Sequence, residues 1–449
     1  MSTIENQITL HIIKLLKEGK KDQFQTVIDE YQPYDIAKIY ENLPEKHHTR
    51  FLIYLTADQI ADLIQELEHD FQLEVLGKLG VEKSGEVMNL MDNDDLASLL
   101  ENLSPSRIEE LLSGMKIEES QIVKDIMNYP PETAGRLMTN RFVWIPQYYS
   151  VREAVDKLKS FAEYSETINY LYVIDDHKKL VGVVSYRDII LAEETEKIED
   201  IMFSRVISVT ADTDQEEVAR FIERYDFIAI PVVENEILVG IITVDDIIDV
   251  VISEATEDIE KLSATGKAID FDTKAIVAAY RRLPWLILLL FIGIVSGTII
   301  SQFEETLEKV VALAFFMPMI AGMTGNTGTQ SLAVVVRGLI TKEVNKKIIT
   351  QLVIRELKVG IFIGVVCGIL ITIIALIWRG DAILGLVVGS SLVITLIIGT
   401  LAGTIIPLIL YRFNIDPAVA SGPLITTLND ILSLLIYFGL ATMFLAQLT

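Results

Sequence analysis

One carboxylate stands in the most apolar part of this sequence. Asp430 closes the run Gly422-Pro423-Leu424-Ile425-Thr426-Thr427-Leu428-Asn429, and residues 431–445 carry no charge. A carboxylate inside an apolar span costs roughly 2.5–3.5 kcal/mol unless it faces a wet cavity or a cation, so it marks a functional site by default. Thr426, Thr427 and Asn429 add oxygen donors around it. The structural alternative is an Asp paired with a neighbouring helix for packing, but no other acid lies deep in a span to share its proton. A second polar island runs from Met317 to Ser331, where Asn326, Thr327, Thr329 and Gln330 offer neutral oxygens. Pro318 with Gly322, Gly325 and Gly328 makes a regular helix costly there. Broken helices at membrane depth line cavities, so the island is expected to be a broken cavity wall. Close helix packing through small residues is the alternative.

Oxygen ligands with one carboxylate suit a hard cation. Magnesium dehydrates reluctantly and is held by one or two carboxylates with several waters retained. Asp430 would be the ligand, with Asn326, Thr426, Thr427 and Asn429 lining the path and bonding the ion's waters. No Lys or Arg lies inside a span, which favours a cation over an anion. Mn²⁺ and Co²⁺ fit the same donors. The five His have no zinc-ligand spacing, and Cys367 is the one cysteine, so no intramolecular disulfide exists. No phosphate-loop lysine motif, catalytic triad or metal-hydrolase cluster is present, so an enzyme is not expected.

The elements that hold these residues follow from charge and hydropathy. Residues 1–280 carry 27 Lys+Arg against 55 Asp+Glu, a net of −28, whereas residues 281–449 carry 11 against 8, a net of +3. An acidic soluble part followed by a nearly neutral apolar part is expected. The acidic part repels nucleic acid and attracts cations. Five apolar spans, 283–300, 310–336, 359–378, 383–410 and 422–445, are each near or above the length a bilayer needs. Arg281, Arg282, Arg337, Lys342, Lys346, Lys347, Arg355, Lys358 and Arg412 fall on one side of these spans. That side is the cytoplasm by the positive-inside rule. The N-terminal part, which has no apolar signal segment, is then cytoplasmic and the C-terminus outside.

Residues 1–130 read as helical. Asp35–Leu43, Gln59–Leu67 and Asp95–Leu103 repeat one amphipathic pattern, which suggests a short helical superhelix. Asp92, Asp94 and Asp95 cluster at a helix start, where capping and cation binding both explain them. Residues 138–250 hold an internal duplication, about 138–200 and 201–250. Leu180-Val181-Gly182-Val183-Val184-Ser185-Tyr186-Arg187-Asp188 matches Leu238-Val239-Gly240-Ile241-Ile242-Thr243-Val244-Asp245-Asp246, and Met138 matches Met202. Each copy predicts a hairpin, strands 170–175 with 180–185 and 228–233 with 238–243. The pair resembles a tandem of CBS domains, an α/β Bateman module. That resemblance implies an adenine nucleotide, ATP or another, at Ser185, Arg187 and Asp188 with Tyr170 stacking, and a second site at Thr243 and Asp246. Helix capping by Asp188 and Asp246 is the alternative.

Residues 251–275 predict a connecting helix on which Glu254, Glu257, Asp258 and Lys261 share one face. Three acids on one stripe repel unless a positive group lies opposite. A solvated face is the ordinary meaning of such a stripe. Its position before the first span favours a cation-bridged contact, with Asp416 placed to share an ion with Glu257 and Asp258.

The full length resembles the MgtE family of magnesium channels and transporters. The resemblance rests on the junction Tyr129-Pro130-Pro131-Glu132-Thr133-Ala134-Gly135-Arg136-Leu137-Met138, on Gly325-Asn326-Thr327-Gly328 and on Pro423–Asp430. It implies a multidomain protein: an all-α superhelix, the CBS pair, a plug helix and a five-helix transmembrane domain over 276–449. It further implies a plasma-membrane homodimer that admits Mg²⁺ between its subunits. The acids of the helical domain, CBS pair and connecting helix, including Asp212, Asp214, Asp226, Asp246 and Asp249, would bind cytoplasmic Mg²⁺ and close the path. A nucleotide-regulated carrier for another divalent cation or solute, and a receptor that transports nothing, are the competing readings.

Overall fold

A computed structural model describes residues 3–448 apart from 102, 162–164, 166, 266–268, 270–272, 342–344 and 414. Asn102 of the third repeat, Lys342 and the far end of the predicted connecting helix lie outside the described residues. The chain forms two compact units, Met1–Val251 and Ile252–Thr449.

The first unit begins with α1 Thr3–Glu18, α2 Lys21–Ile28, α3 Pro33–Asn42, α4 Glu45–Tyr54, α5 Ala57–Gln65, α6 His69–Leu79, α7 Val81–Met88, α8 Asn93–Leu100, α9 Pro105–Leu112 and α10 Ile117–Met127. The three repeats fall on α3, α5 and α8. Their apolar stripes are buried: Ile36 and Tyr40, Ile60 and Ile64, Leu96 and Leu100. Short helices cannot bury such a stripe alone, so alternate helices stack, α1-α3-α5-α7-α9 in one row and α2-α4-α6-α8-α10 in the other. Local chemistry sets the ends. At the start of α5 the Gln59 N–H donates to Thr56 Oγ1 at 3.2 Å and the Thr56 N–H donates to Gln59 Oε1 at 3.1 Å.

The unit continues with α11 Ala134–Leu137, β1 Phe142–Pro146, α12 Val151–Phe161, β2 Thr167–Ile174, β3 Leu180–Ser185, α13 Tyr186–Leu191, α14 Ile198–Ile201, β4 Val209–Thr210, α15 Gln215–Tyr225, β5 Ala229–Glu234, β6 Ile237–Thr243 and α16 Val244–Leu262. Two sheets form, ordered β1-β2-β3 and β4-β5-β6, each with a parallel first pair and an antiparallel second pair. The duplicated residues meet crosswise. A Cβ on Gly240 would press on Met138 Sδ, and one on Gly182 on Met202 Sδ, so each copy's Met fills the space of the other copy's Gly. The connecting helix is not separate: α16 runs from the second sheet through Lys261 as one helix.

The second unit contains the end of α16, then α17 Ala275–Gln302, α18 Glu304–Lys309, α19 Leu313–Thr341, α20 Lys346–Arg379, α21 Ala382–Arg412, a 3-10 turn Pro417–Val419, α22 Gly422–Met443 and α23 Leu445–Leu448. Among the described residues four helices are long and apolar enough to cross a membrane: α17, α20, α21 and α22. The polar island keeps α19 from qualifying by composition. The predicted break in that island does not occur, and α19 is one helix through Pro318 and its glycines. Two facts explain this. Thr324, Thr327 and Thr329 donate their hydroxyls to carbonyls four residues back, at 2.7, 2.9 and 3.0 Å, so the helix satisfies its own polar groups. The glycines serve close approach instead: a Cβ on Gly325 would lie 2.8 Å from Thr426 Cγ2, and one on Gly328 3.0 Å from Ile425 Cγ2. The small-residue packing alternative therefore accounts for Gly325 and Gly328.

Candidate functional site

Within the second unit an open groove of about 840 Å³ is lined by Asn326, Thr329 and Gln330 of α19 and by Pro423, Thr426 and Thr427 of α22, with Leu262 of α16 at its margin. Thr329 Oγ1 and Thr426 Oγ1 are 3.2 Å apart across it. Asp430 is half-buried and lies three and four residues past Thr427 and Thr426, so it continues their stripe on α22. Its carboxylate has no hydrogen-bond or ion-pair partner among the described residues. Three of the four predicted path residues, Asn326, Thr426 and Thr427, share the groove. Asn429 does not. It is fully buried against α19 and α21, with Nδ2 directed at Thr324 O at 3.4 Å, because Gly328 and Gly399 leave a slot there for its amide.

At the margin of the groove the structure brings together the acids expected to share an ion, and a basic side chain of the protein sits among them. Lys261 Nζ lies 2.6 Å from Asp416 Oδ2 and 2.7 Å from Glu257 Oε1. Asp416 also accepts the Ala418 N–H at 2.8 Å. Burial, then the neighbouring Asp416, push the Asp258 carboxyl above its ordinary value. Burial would lower Lys261, but its bonds to Asp416 and Glu257 outweigh that and hold the ammonium well above its ordinary value. Glu254 lies one turn earlier on the same helix.

The acids of the first unit are engaged locally. Asp92 does not cap α8 with its side chain. It accepts from Gln65 at 2.9 Å and from Arg141 at 3.1 Å, and the same guanidinium bonds the Met91 carbonyl at 2.7 Å. Asp95 accepts from Gln65 at 2.7 Å. Crowding by surrounding protein raises its carboxyl and the Gln65 bond partly offsets this, while Asp92, Asp249 and Asp245 add to the rise. Asp94 is buried. Asp214 caps α15 through the Glu216 N–H at 2.9 Å, and Asp226 ends that helix in the left-handed region at φ 53°. Asp212 accepts the Thr210 hydroxyl at 2.5 Å, and Asp246 that of Thr243 at 2.7 Å. Among the described residues no group of three or more His, Cys, Asp or Glu converges as a metal site.

Ser185 and Asp188 form a reciprocal cap at the start of α13. Ser185 Oγ donates to Asp188 Oδ2 at 2.5 Å and accepts the Asp188 N–H at 3.1 Å. Arg187 beside them is exposed. Tyr170 pairs with Ser185 across the β2–β3 ladder. It also lines a cavity of about 100 Å³ between the two sheets, with Tyr172, Phe203, Arg205 and Phe227. Sequence reasoning missed Phe203, Arg205 and Phe227, which lie outside the strand-to-helix motif. It also missed Glu356, a buried carboxylate of α20 that accepts from Ser331 Oγ at 3.1 Å and from Arg355 at 2.9 Å.

A helical superhelix and a CBS pair followed by apolar helices around a polar groove define a multi-pass membrane protein with a large N-terminal part. Comparison with known proteins gives the same class. The family of divalent cation transporters matches residues 317–440, the MgtE intracellular N domain 31–132, and the CBS domain 123–194 and 198–253. The magnesium transporter MgtE of Bacillus subtilis (strain 168) is 65% identical over 444 residues, 99% of this chain and 98% of that protein. The magnesium transporter MgtE of Thermus thermophilus is 34% identical over 448 residues, 98% and 99%. The chain belongs to the MgtE family. Two solved structures are similar: the soluble part of a magnesium transporter (35% identity, TM-score 0.54, covering 56% of this chain and 99% of that one), and the cytosolic domain of the Mg²⁺ channel MgtE in complex with ATP (33%, 0.52, 54% and 99%). The relatives named MgtE are described as transporters, not enzymes.

Proposed function

We propose that this chain carries Mg²⁺ into the cell along the α19–α22 groove, with Asp430 as the carboxylate of the path. The observation that carries the reading is Asp430 one helical turn past Thr426 and Thr427, which line the groove while Asp430 lies beyond its lining, with no partner among the described residues. Asn326, Thr329 and Gln330 supply neutral oxygens for the waters of a hydrated ion. α19 crosses the membrane as a fifth span, since its 29 residues extend about 43 Å. The basic residues flanking the spans put the N-terminal part in the cytoplasm and the C-terminus outside. Two copies around a twofold axis would double the carboxylate. Cytoplasmic Mg²⁺ held by acids of the helical domain, the CBS pair and α16 favours the closed arrangement.

The test is Mg²⁺ influx into proteoliposomes containing the full chain. Asp430→Ala and Asp430→Asn are each expected to lower flux on the order of tenfold or more, while thermal stability and elution volume stay at wild-type values. Wild-type flux in either variant would remove Asp430 from the path.

A second reading concerns regulation. The cavity between Tyr170 and Phe227 is lined by aromatic and apolar side chains, which suit an adenine ring, and a related cytosolic domain was solved with ATP. ATP or another adenine nucleotide would stack there with its ribose toward Ser185 and Asp188. Tyr170→Ala is expected to weaken ATP binding roughly fivefold to hundredfold, the worth of one aromatic stack. Equilibrium dialysis on the full chain measures it, and unchanged affinity would discard the site.

A further inference from the structure

The end of α16 reaches the groove margin with two consecutive side chains that do different work. Leu262 lines the groove and packs against Leu332, Ala418 and Ile425. Lys261 places one ammonium between Glu257, on its own helix, and Asp416, at the entry to α22. Asp416 is fixed for this contact, because Oδ1 is held by the Ala418 N–H while Oδ2 takes the ammonium. Both ends of the Lys261–Asp416 pair are about two-thirds shielded, with side-chain exposures of 31% and 35%. The ammonium stays charged across the physiological range, since its carboxylate partners raise it. Lys261 therefore bonds two acids, Glu257 and Asp416, and acts on a third, Asp258, beside it.

We infer that Lys261 is a tethered counter-ion that latches the end of α16, and with it Leu262, onto the groove margin without a divalent ion, and that a divalent cation binding these acids does so in exchange for it. The inference rests on the gating reading above and adds a term to it. The closed contact has a floor of stability set by Lys261, and Mg²⁺ adds to that floor instead of supplying the whole lock. A lysine suits exchange, because its single charge on a flexible stem leaves its partners intact when displaced.

The experiment is hydrogen exchange of the α16 amides in the detergent-solubilised full chain, in EDTA and in saturating Mg²⁺. Lys261→Gln is expected to raise exchange in EDTA roughly threefold to tenfold, the worth of a partly shielded pair with two acceptors, and to regain wild-type protection in Mg²⁺. Lys261→Arg keeps the charge and is expected to stay near wild type. Asp416→Asn can still cap the turn, and is expected to exchange faster in EDTA and to recover less in Mg²⁺ than Lys261→Gln. Wild-type exchange of Lys261→Gln in EDTA would overturn the latch. A wild-type chain indifferent to Mg²⁺, alongside faster exchange of Lys261→Gln in EDTA, would keep the latch and remove the Mg²⁺ gate instead.

Discussion

At Gly403 the contact between α19 and α21 leaves no room for a methyl group, because a Cβ there would collide with the Gly328 carbonyl. Backbone cannot yield as a flexible side chain can, so Gly403→Ala is expected to cost about 1–3 kcal/mol, the range for overpacking. Gly338 is on the same helix as Gly328 but has nothing within 4 Å of its would-be Cβ. Gly338→Ala is expected to be neutral or to stabilise by up to about 1 kcal/mol through helix propensity. Thermal unfolding of the two variants in detergent separates the cases, and equal midpoints would refute the packing account of α19. At the residue scale the position of Asp430 was legible, because an acid in an uncharged run is conspicuous. That of Glu356 was not. The basic residues around it, Arg355 and Lys358, read as a loop, whereas α20 already begins at Lys346 and turns Glu356 inward to Ser331. Nor was Asn429 legible as a packing residue, since the slot that buries its amide is made by Gly328 and Gly399 on other helices.

Among the elements, α4 and α6 are joined by a charged contact that gives the helical domain a pH signature. His48 is buried, with Nδ1 2.8 Å from Glu74 Oε1 and Nε2 2.9 Å from the Leu43 carbonyl. Lys78 also bonds Glu74. Burial alone would raise the Glu74 carboxyl, but Lys78 and His48 bring it below its ordinary 4.5. A carboxylate lowered on folding contributes stability that is complete above its unfolded value and is lost as pH falls through its folded one. Glu74→Gln is therefore expected to cost about 1 kcal/mol at pH 7, discounted for its partial exposure. The deficit should shrink below about pH 4, where the wild-type carboxylate is itself protonated. Hydrogen exchange on α4 and α6 at the two pH values checks this, and a pH-independent gap would show that the charge is not the cause. The repeats on α3, α5 and α8 and both hairpins were readable, because their periodicity and turns are local. The parallel strands β1 and β4 were not. Each is short, and each is stabilised by a partner strand more than twenty residues away. The continuity of α19 was hidden for the reverse reason: proline and glycine are local signals of a break, and packing against α21 and α22 overrode them.

At the scale of the molecule, the net −28 of residues 1–280 against +3 for the rest would give the proposed ion sensor its chemistry but not its addresses. The Arg141–Asp92 and Lys261–Glu257 pairs show that the basic residues already counted in this net engage some of its acids directly. What remains repels, and at physiological salt that repulsion acts only within about 8 Å, so bound ions must work at contacts. An ion shifts the equilibrium only by its preference for the closed arrangement, and a swing from 1:99 to 99:1 needs about 10⁴-fold preference. Among the described residues no group of three or more His, Cys, Asp or Glu converges as a metal site, and the proposed gate draws that preference from several weak sites. Flux into proteoliposomes, followed against Mg²⁺ on the cytoplasmic-domain side at constant ionic strength, is therefore expected to fall with a Hill coefficient above one. A coefficient of one would place the whole gate at one site. Flux indifferent to that Mg²⁺, yet abolished by Asp430→Ala, would leave the path standing and make nucleotide at the Tyr170 cavity the regulator to pursue.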